Sequence, residues 1–201
     1  CEDCEDTLRV WMKVGGELPR EAMELELKVL EIIMEVEGRG ILVDQKKLEL
    51  KIKEASKQVE FFRGLAEGLG CNPGSSKQGA AVLQSKGHRI YYNRETKNPI
   101  INEEILRMAY ADEPFAHLVL NFRGFQYQLS WLEAIRDKHL GQDGKVHGRF
   151  HQTVTNSGRL SSSKPNMQNP EPYLRDIFIP SNGNVAESAD FSQIELRILA
   201  H

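Results

Sequence analysis

Apolar residues recur at helical spacing through residues 20–139, with charged residues between them. A first helix is predicted from Arg20 to Gly38. A second is predicted to begin after Asp44, a residue type that caps helices, and to run for about 25 residues. We expect these two helices to pack as an antiparallel pair. Their apolar stripes are Leu25, Val29, Ile32, Ile33 and Val36 in the first and Leu48, Ile52, Ala55, Val59, Phe62, Leu65 and Leu69 in the second.

Three further helices are predicted before residue 140. The turn formers in residues 72–76 start a short helix, which is capped by a serine and ends near Ser85. A helix capped by Asn102 follows and runs to residue 110, and a long helix covers 113–139. Residues 87–100 are expected to form an exposed loop or a small hairpin.

The hydrophobic period changes from helical to alternating at Gly141, where we expect a domain boundary. Residues 146–154 alternate between a mostly apolar face and a polar, partly basic face, which predicts one strand. A second strand is predicted at 177–179, a turn at 181–184 and an antiparallel return strand at 185–190. The last dozen residues favour a helix packed by one face. The pattern therefore predicts an α+β fold, mostly helical first and then formed of antiparallel strands.

Composition indicates a globular protein, with 40% hydrophobic and 27% charged residues. No apolar run approaches the roughly 18 residues of a membrane helix, and the acidic first ten residues do not resemble a signal peptide. The cysteines are few and their number, three, is odd, which argues against a disulfide framework. The spacing of Cys1 and Cys4 suits zinc, but no second pair follows, so we expect free thiols. Because the first residue is not Met, we expect a processed or partial chain.

The charge is unevenly distributed along the chain. Its formal net charge is −3, and residues 1–40 hold eleven acidic against five basic side chains. Residues 145–169 carry four basic side chains and no acidic one. This local basic segment suits a focused contact with an anion, although four charges are also compatible with ordinary surface.

Three short stretches contain candidate chemistry. Residues 155–169 are rich in hydroxyls and amides and include Arg159, groups that bond phosphates, sugars and base edges; a turn-rich surface loop has the same composition. Asp190 stands where a predicted strand passes into a helix, a common position for a metal ligand. Asp190 or Ser192 there is equally suited to capping the helix. The helix start at residues 75–77 is either a phosphate site or an ordinary capped helix.

Residues 155–169 and 190–197 resemble two signatures of the family A DNA polymerases, the bacterial DNA polymerase I type. The first is similar to T-x-x-G-R-L-S-S…P-N-x-Q-N, and the second, Asp-Phe-Ser-Gln-Ile-Glu-Leu-Arg, is similar to motif A. Residues 37–44 and 72–78 resemble weaker signatures, so that the likeness covers about residues 20–201. Two small departures are Ser157 and Phe191, where the family usually has Thr and Tyr.

The resemblance implies a layout of three parts. Residues 1–20 are a lead-in from an upstream region, residues 21–140 a helical thumb, and residues 141–201 the N-terminal part of a palm. The family's activity is nucleotidyl transfer, in which a primer 3′-hydroxyl attacks the α-phosphate of a nucleotide with the help of two Mg²⁺ ions. By resemblance, Asp190 bridges both ions and the Phe191 carbonyl binds one.

The resemblance also assigns residues to sugar selection and DNA binding. Glu195 excludes a 2′-hydroxyl beside the catalytic site, so that deoxynucleotides are accepted, and Gln193 supports it. Arg159 contacts the minor groove near the primer terminus, where correct pairs share acceptors. The other implied DNA-binding residues are Ser161, Ser162, Asn166, Gln168, Asn169, Ser76, Lys77, Arg149, His151 and Arg175.

The implied partners are primer–template DNA, a deoxynucleoside triphosphate and a second polypeptide or C-terminal region with the fingers and the remaining palm. The second metal-binding Asp and the triphosphate-binding helix of the family do not occur in these 201 residues. We therefore expect the chain alone to be inactive. The alternative is a non-catalytic DNA-binding fragment; a single-subunit RNA polymerase is disfavoured by Glu195. The expected location is the cytoplasm, at the nucleoid or, for a viral enzyme, in the host cell, with no membrane partner.

Overall fold

The computed structural model describes residues 2–14, 19–168 and 170–200, which form an α+β fold as predicted. The weak periodicity of residues 1–20 did not indicate the first helix. The helices are α1 (Glu2–Val14), α2 (Arg20–Arg39), α3 (Gln45–Glu67), α4 (Ser76–Ser85), α5 (Glu103–Ala109), α6 (Pro114–Ala134), α7 (Pro172–Arg175) and α8 (Ile194–Leu199). The strands are β1 (Ile41–Val43), β2 (Lys145–Val146), β3 (Arg149–His151), β4 (Ser161–Ser163) and β5 (Phe178–Ile179).

The larger core lies between α3 and α6. The predicted cap of α3 is confirmed, because Asp44 Oδ1 accepts a hydrogen bond of 3.0 Å from the Lys47 backbone N–H. The predicted long helix over 113–139 is confirmed as α6 continued by a five-residue π-helical segment, Ile135–His139. The buried residues of this core are Val43, Leu48, Ile52, Ala55, Val59, Phe122, Leu129, Leu132, Ile135, Val146, Leu174 and Ile177.

The predicted antiparallel pairing of α2 with α3 is wrong. Of the residues in α2, only Ile33 is buried, while Leu25 is 61% exposed and Ile32 is 60% exposed. Residues 41–43 form strand β1 between the two helices, and β1 pairs with β2 and β5. The apolar stripe of α3 is therefore buried against α6.

A second core surrounds α4, α5 and the first half of α6. The predicted caps are confirmed, with Ser75 Oγ accepting from Gln78 N and Asn102 Oδ1 accepting from Ile105 N. A bridge between Tyr92 and Pro99 forms the small hairpin expected in residues 87–100. The buried residues of this core are Cys71, Ala80, Leu83, Ile90, Ile101, Leu106, Tyr110, Phe115, Ala116 and Val119.

Glu113 joins the parts of this second core. Its carboxylate accepts from Lys86 Nζ at 2.6 Å and from the Phe115 backbone N–H at 3.1 Å, and lies 3.0 Å from His88 Nε2. These bonds, with the Lys86 bond first, lower the pKa of Glu113 to about 2. The buried carboxylate is thus ionised, and each of its two oxygens has a hydrogen-bond partner.

Strand β1 is the centre of a three-stranded antiparallel sheet with the order β2–β1–β5. Leu42 pairs with Lys145 on one side and with Ile179 on the other. The sheet thus takes strands from both sides of Gly141, and the boundary expected there stays a prediction. Among the described residues, no helix is both long and apolar enough to cross a membrane.

The prediction of one continuous strand over residues 146–154 is wrong. The chain forms β2 in the first sheet and β3 in a separate two-stranded sheet with β4, where Phe150 pairs with Ser162. Gly148 lies between the two strands, and a Cβ atom on it would be 2.8 Å from Met167 Cγ. The chain therefore bends closely around Met167, which interrupts the strand.

Residues 181–200 contribute nothing to either core. The predicted turn is confirmed by a hydrogen bond of 3.0 Å from Asn184 N to Ser181 O. The strand predicted at 185–190 is wrong, because this segment is irregular and exposed; Glu187 and Ser188 interrupt its apolar pattern. Helix α8 forms, but the prediction that one face packs is wrong, since no residue of α8 is buried.

Candidate nucleic-acid interface and active site

The two candidate segments meet in the structure. Arg159 Nη2 donates a hydrogen bond to Glu195 Oε1, across 36 positions of sequence. Both side chains are 72% exposed, so that the ion pair lies at the surface and is open to a ligand. The fold thus brings together the residue expected at the primer terminus and the residue expected to select the sugar.

The loop before Arg159 is closed by its own hydrogen bonds. The Thr155 hydroxyl donates to the Arg159 carbonyl, and Gly158 N donates to Thr155 O. Gly158 has a φ of +72°, in the left-handed region that favours glycine. Sequence reasoning missed this role of Thr155; a hydroxyl that starts a Gly-containing turn was the available signal.

Residues 160–168 form a turn braced by side chains. Ser162 is buried, and its Oγ donates to Pro165 O and accepts from Met167 N at 3.1 Å. Gln168 Nε2 donates to Leu160 O at 3.0 Å. Ser162 therefore supports the turn, while the other candidates here are more accessible. Ser161 is half-buried, Asn166 and Gln168 are exposed, and Asn169 lies outside the described residues.

Asp190 and Phe191 are exposed and make no hydrogen bond or ion pair with any described residue. The interpretation of Asp190 or Ser192 as a helix cap is wrong, because α8 begins after Gln193 without a side-chain cap. Carboxylate and carbonyl oxygens are ligands that Mg²⁺ prefers. Over the described ranges, however, no three potential His, Cys, Asp or Glu ligands are grouped. The binding of Mg²⁺ by Asp190 and the Phe191 carbonyl stays a prediction.

The candidates Ser76 and Lys77 lie at the start of α4, a helix whose buried residues belong to the second core. Ser75 provides the cap, so that Ser76 occupies the first turn and is half-buried. Lys77 is exposed and forms no ion pair with a described residue. The first turn of a ten-residue helix with a free lysine suits an anion such as a phosphate.

Three further candidates are distributed around the turn of residues 160–168. Arg149 is exposed on β3, and His151 Nε2 lies 2.8 Å from Ser163 Oγ on β4. Arg175 Nε donates to Pro170 O at 3.0 Å at the end of α7. Their roles in DNA binding stay predictions.

A buried lysine, which sequence reasoning did not identify, ties α7 to α3. Lys51 Nζ lies 3.0 Å from Asp176 Oδ1 and 2.8 Å from Tyr173 O, and 3.4 Å above the Tyr173 ring. Partial burial raises the pKa of Asp176, but hydrogen bonds from Lys47 and Lys51 outweigh it and lower this pKa. The tie fixes the start of the segment that leads through β5 toward Asp190. A lysine inside an apolar stripe was its one signal in the sequence.

Comparisons with known proteins identify the family, and the roles of single residues stay predictions. The family model for DNA polymerase family A matches residues 43–201. DNA polymerase I of Pseudomonas aeruginosa is 29% identical over all of the chain, and that of Synechocystis sp. is 32% identical over 92% of it. The chain spans 24% and 20% of the lengths of these two proteins.

Among solved structures, the chain is similar to the POL domain of Pol1 from M. smegmatis in complex with DNA primer-template and dNTP. The identity is 30% and the TM-score is 0.75. The match covers 88% of this chain and 33% of the other.

Proposed function

Because the chain belongs to DNA polymerase family A, we propose that it holds primer–template DNA and supplies part of the active site for template-directed DNA synthesis. In this reaction the primer 3′-oxygen forms a bond to the α-phosphorus of a deoxynucleoside triphosphate, and the bond to pyrophosphate breaks. The observation that carries the proposal is the contact between Arg159 and Glu195, which makes the primer and sugar subsites neighbours.

Arg159 and Glu195 have complementary roles in this proposal. The Arg159 guanidinium donates to minor-groove acceptors that all correct base pairs share, so that it tests the shape of the terminal pair. The Glu195 carboxylate occupies the space that a 2′-hydroxyl would need, which excludes ribonucleotides. Gln193, in a left-handed conformation with a φ of 54°, starts α8 and thereby places Glu195 in its first turn.

Asp190 and the Phe191 carbonyl would hold Mg²⁺ at the same end of the molecule. When bound, two such ions lower the barrier by activating the primer hydroxyl and by stabilising the leaving pyrophosphate. A further carboxylate is needed for two ions, and we place it in a C-terminal region or a second polypeptide that also carries the fingers. The 201 residues expressed alone are therefore expected to bind duplex DNA without extending a primer.

Duplex binding is tested with the 201-residue chain and a fluorescently labelled primer–template. Affinity is expected to fall steeply with salt concentration, because phosphate contacts release counterions. Arg159→Ala should weaken binding, whereas Lys57→Ala, an exposed lysine on α3, serves as a control. Failure of the chain to bind at low salt would contradict the proposal.

Synthesis is tested with a chimaera, in which residues 43–201 of this chain replace the matching segment of the M. smegmatis polymerase domain. We expect Mg²⁺-dependent primer extension, lost on Asp190→Ala. A chimaera that binds duplex but does not extend it favours the second candidate, a non-catalytic DNA-binding fragment. That candidate draws its support from the exposed Asp190, which belongs to no group of three or more potential metal ligands among the described residues. For either function we propose the cytoplasm, at the nucleoid.

A further inference from the structure

His147 joins the end of α2 to the turn before β2. Its Nδ1 lies 2.8 Å from the Glu37 carbonyl oxygen, and its Nε2 lies 3.1 Å from Asp143 Oδ2. A carbonyl and an ionised carboxylate only accept hydrogen bonds, and a neutral imidazole has one N–H. A neutral ring would therefore turn one unprotonated nitrogen toward an oxygen. The imidazolium, with two N–H groups, satisfies both contacts.

The end of α2 is built to receive this ring. Gly40 has a φ of +60°, and a Cβ atom on it would lie 2.6 Å from His147 Cε1, so that glycine leaves the space which the ring occupies. Lys145 Nζ donates to Arg39 O at 3.0 Å. Two carbonyls in the last turn of α2 thus accept from cationic side chains, which suits the negative end of the helix dipole.

The same contact extends toward Arg159. Glu37 Oε1 accepts a hydrogen bond of 2.6 Å from the Phe150 backbone N–H, so that Glu37 holds residues 147–150 by its backbone and its side chain. Phe150 pairs with Ser162 in the sheet of β3 and β4. This sheet brackets the loop of residues 152–160.

We propose that the His147 imidazolium is a positioning residue, which clasps the end of α2 to the β3–β4 sheet and thereby orients Arg159. The clasp itself involves only these residues of the chain, whereas its effect on DNA binding rests on the proposed function. His147 has no contact with the reacting groups and acts through the loop.

The charges around His147 set the pH range of the clasp. The Glu37 carbonyl and then the Asp143 carboxylate raise the pKa of His147, against smaller opposing effects of desolvation and of Lys145. In return the His147 bond lowers the pKa of Asp143. The α2 end adds the charged side chains of Glu37 and Arg39. Because the pKa of His147 is raised, its contacts contribute fully to stability below the ordinary pKa of histidine. This contribution is lost as the pH rises through the raised pKa.

The clasp is tested by NMR titration of the 201-residue chain with ¹⁵N-labelled histidine rings. The His147 signals are assigned from their loss in His147→Gln. We expect His147 to titrate above the ordinary value of 6.5 and its pKa to fall in Asp143→Asn. Titration at or below that value in the wild type, or an unchanged value in Asp143→Asn, would overturn the clasp.

Duplex binding across the same pH range tests the positioning role. Wild-type affinity is expected to fall about two- to fivefold as pH rises through the pKa of His147, in line with a partly exposed ion pair. His147→Gln should lose this pH dependence. His117→Gln should keep it, because the contact described for His117 is to one acceptor, Ala111 O, which a neutral ring satisfies.

The two tests separate the clasp from the proposed function. If the wild type binds no duplex at any pH, the proposed function fails, while the NMR titration still decides the clasp. If duplex binds and His147→Gln keeps the wild-type pH dependence, the positioning role is overturned and the proposed function stands.

Discussion

The core between α3 and α6 and the segment of residues 181–200 use apolar residues in opposite ways. In the core, Leu132 and Ile135 are fully buried. In the segment, Leu199 is 82% exposed and no residue is buried. Burial of apolar surface drives folding, so that the core determines stability. The segment, which carries Asp190 and Glu195, buries no side chain and contributes little to stability.

Charged groups show the same contrast. Glu113 is buried, and its carboxylate is held by three hydrogen bonds. The Arg159–Glu195 pair is exposed, and exposed pairs contribute about 0–1 kcal/mol. Under the proposed function, such a pair would separate at low cost when a minor groove or a sugar competes for either partner. Stability and ligand binding therefore depend on different charges in this chain.

The largest expected effect is on chemistry alone. In the chimaera, Asp190→Asn should reduce DNA synthesis by about a hundred- to a thousandfold, as the loss of a group that stabilises transition-state charge does. In the 201-residue chain it should leave thermal unfolding unchanged, because Asp190 is exposed. Primer extension and calorimetry measure the two. A large drop in the unfolding temperature would contradict the view that the core determines stability and residues 181–200 do not.

Two leucine substitutions measure the stability of the two regions. Leu132→Ala should reduce the free energy of unfolding by about 2–5 kcal/mol, because the side chain is fully buried. Leu199→Ala, the matched control in α8, should change it by less than about 0.5 kcal/mol. Urea denaturation followed by circular dichroism measures both. Equal effects would show that α8 is packed in solution.

Acid should weaken the second core through Glu113. Its pKa, lowered from 4.5 to about 2, means that its ionised form stabilises the fold above its unfolded pKa and loses this effect as pH falls toward 2. The stability difference between wild type and Glu113→Gln should therefore shrink over that range. Urea midpoints at a series of pH values measure this. A constant difference would contradict the bonded, ionised carboxylate.

The smallest expected effect is on the salt dependence of duplex binding. Lys77→Ala should reduce the slope of log affinity against log salt by about 1, because one phosphate contact is lost. Lys57→Ala should leave the slope unchanged. Fluorescence anisotropy at several salt concentrations measures both slopes. Equal slopes in the two variants would remove α4 from the DNA interface.

Local features of the fold followed from the sequence, and packing partners did not. Asp44, Ser75 and Asn102 all cap helices as predicted, since a cap depends on a few neighbouring residues. The periodicity of α2 correctly indicated a helix but does not identify what its apolar face contacts. That is why the pairing of α2 with α3 was wrong.

Strands were harder to predict because their partners lie far along the chain. Residues 146–154 alternate as a strand should, but the approach of Met167 to Gly148 interrupts them. For the site, Arg159 and Glu195 were identified by resemblance, and their direct contact was not. Thr155 and Lys51 each left a weak signal in the sequence, but the backbone carbonyls that they bond could be identified only from the structure.

The position of β1 at the centre of its sheet has a consequence for the order of folding. Leu42 can pair fully only after both Lys145 and Ile179, its partners on the two sides, have been synthesised. A ribosome therefore releases the helices between β1 and β2 well before the sheet can close. Since distant pairings require costly loop closure, we expect the helical core to form first. The sheet that leads toward Asp190 would then be completed last.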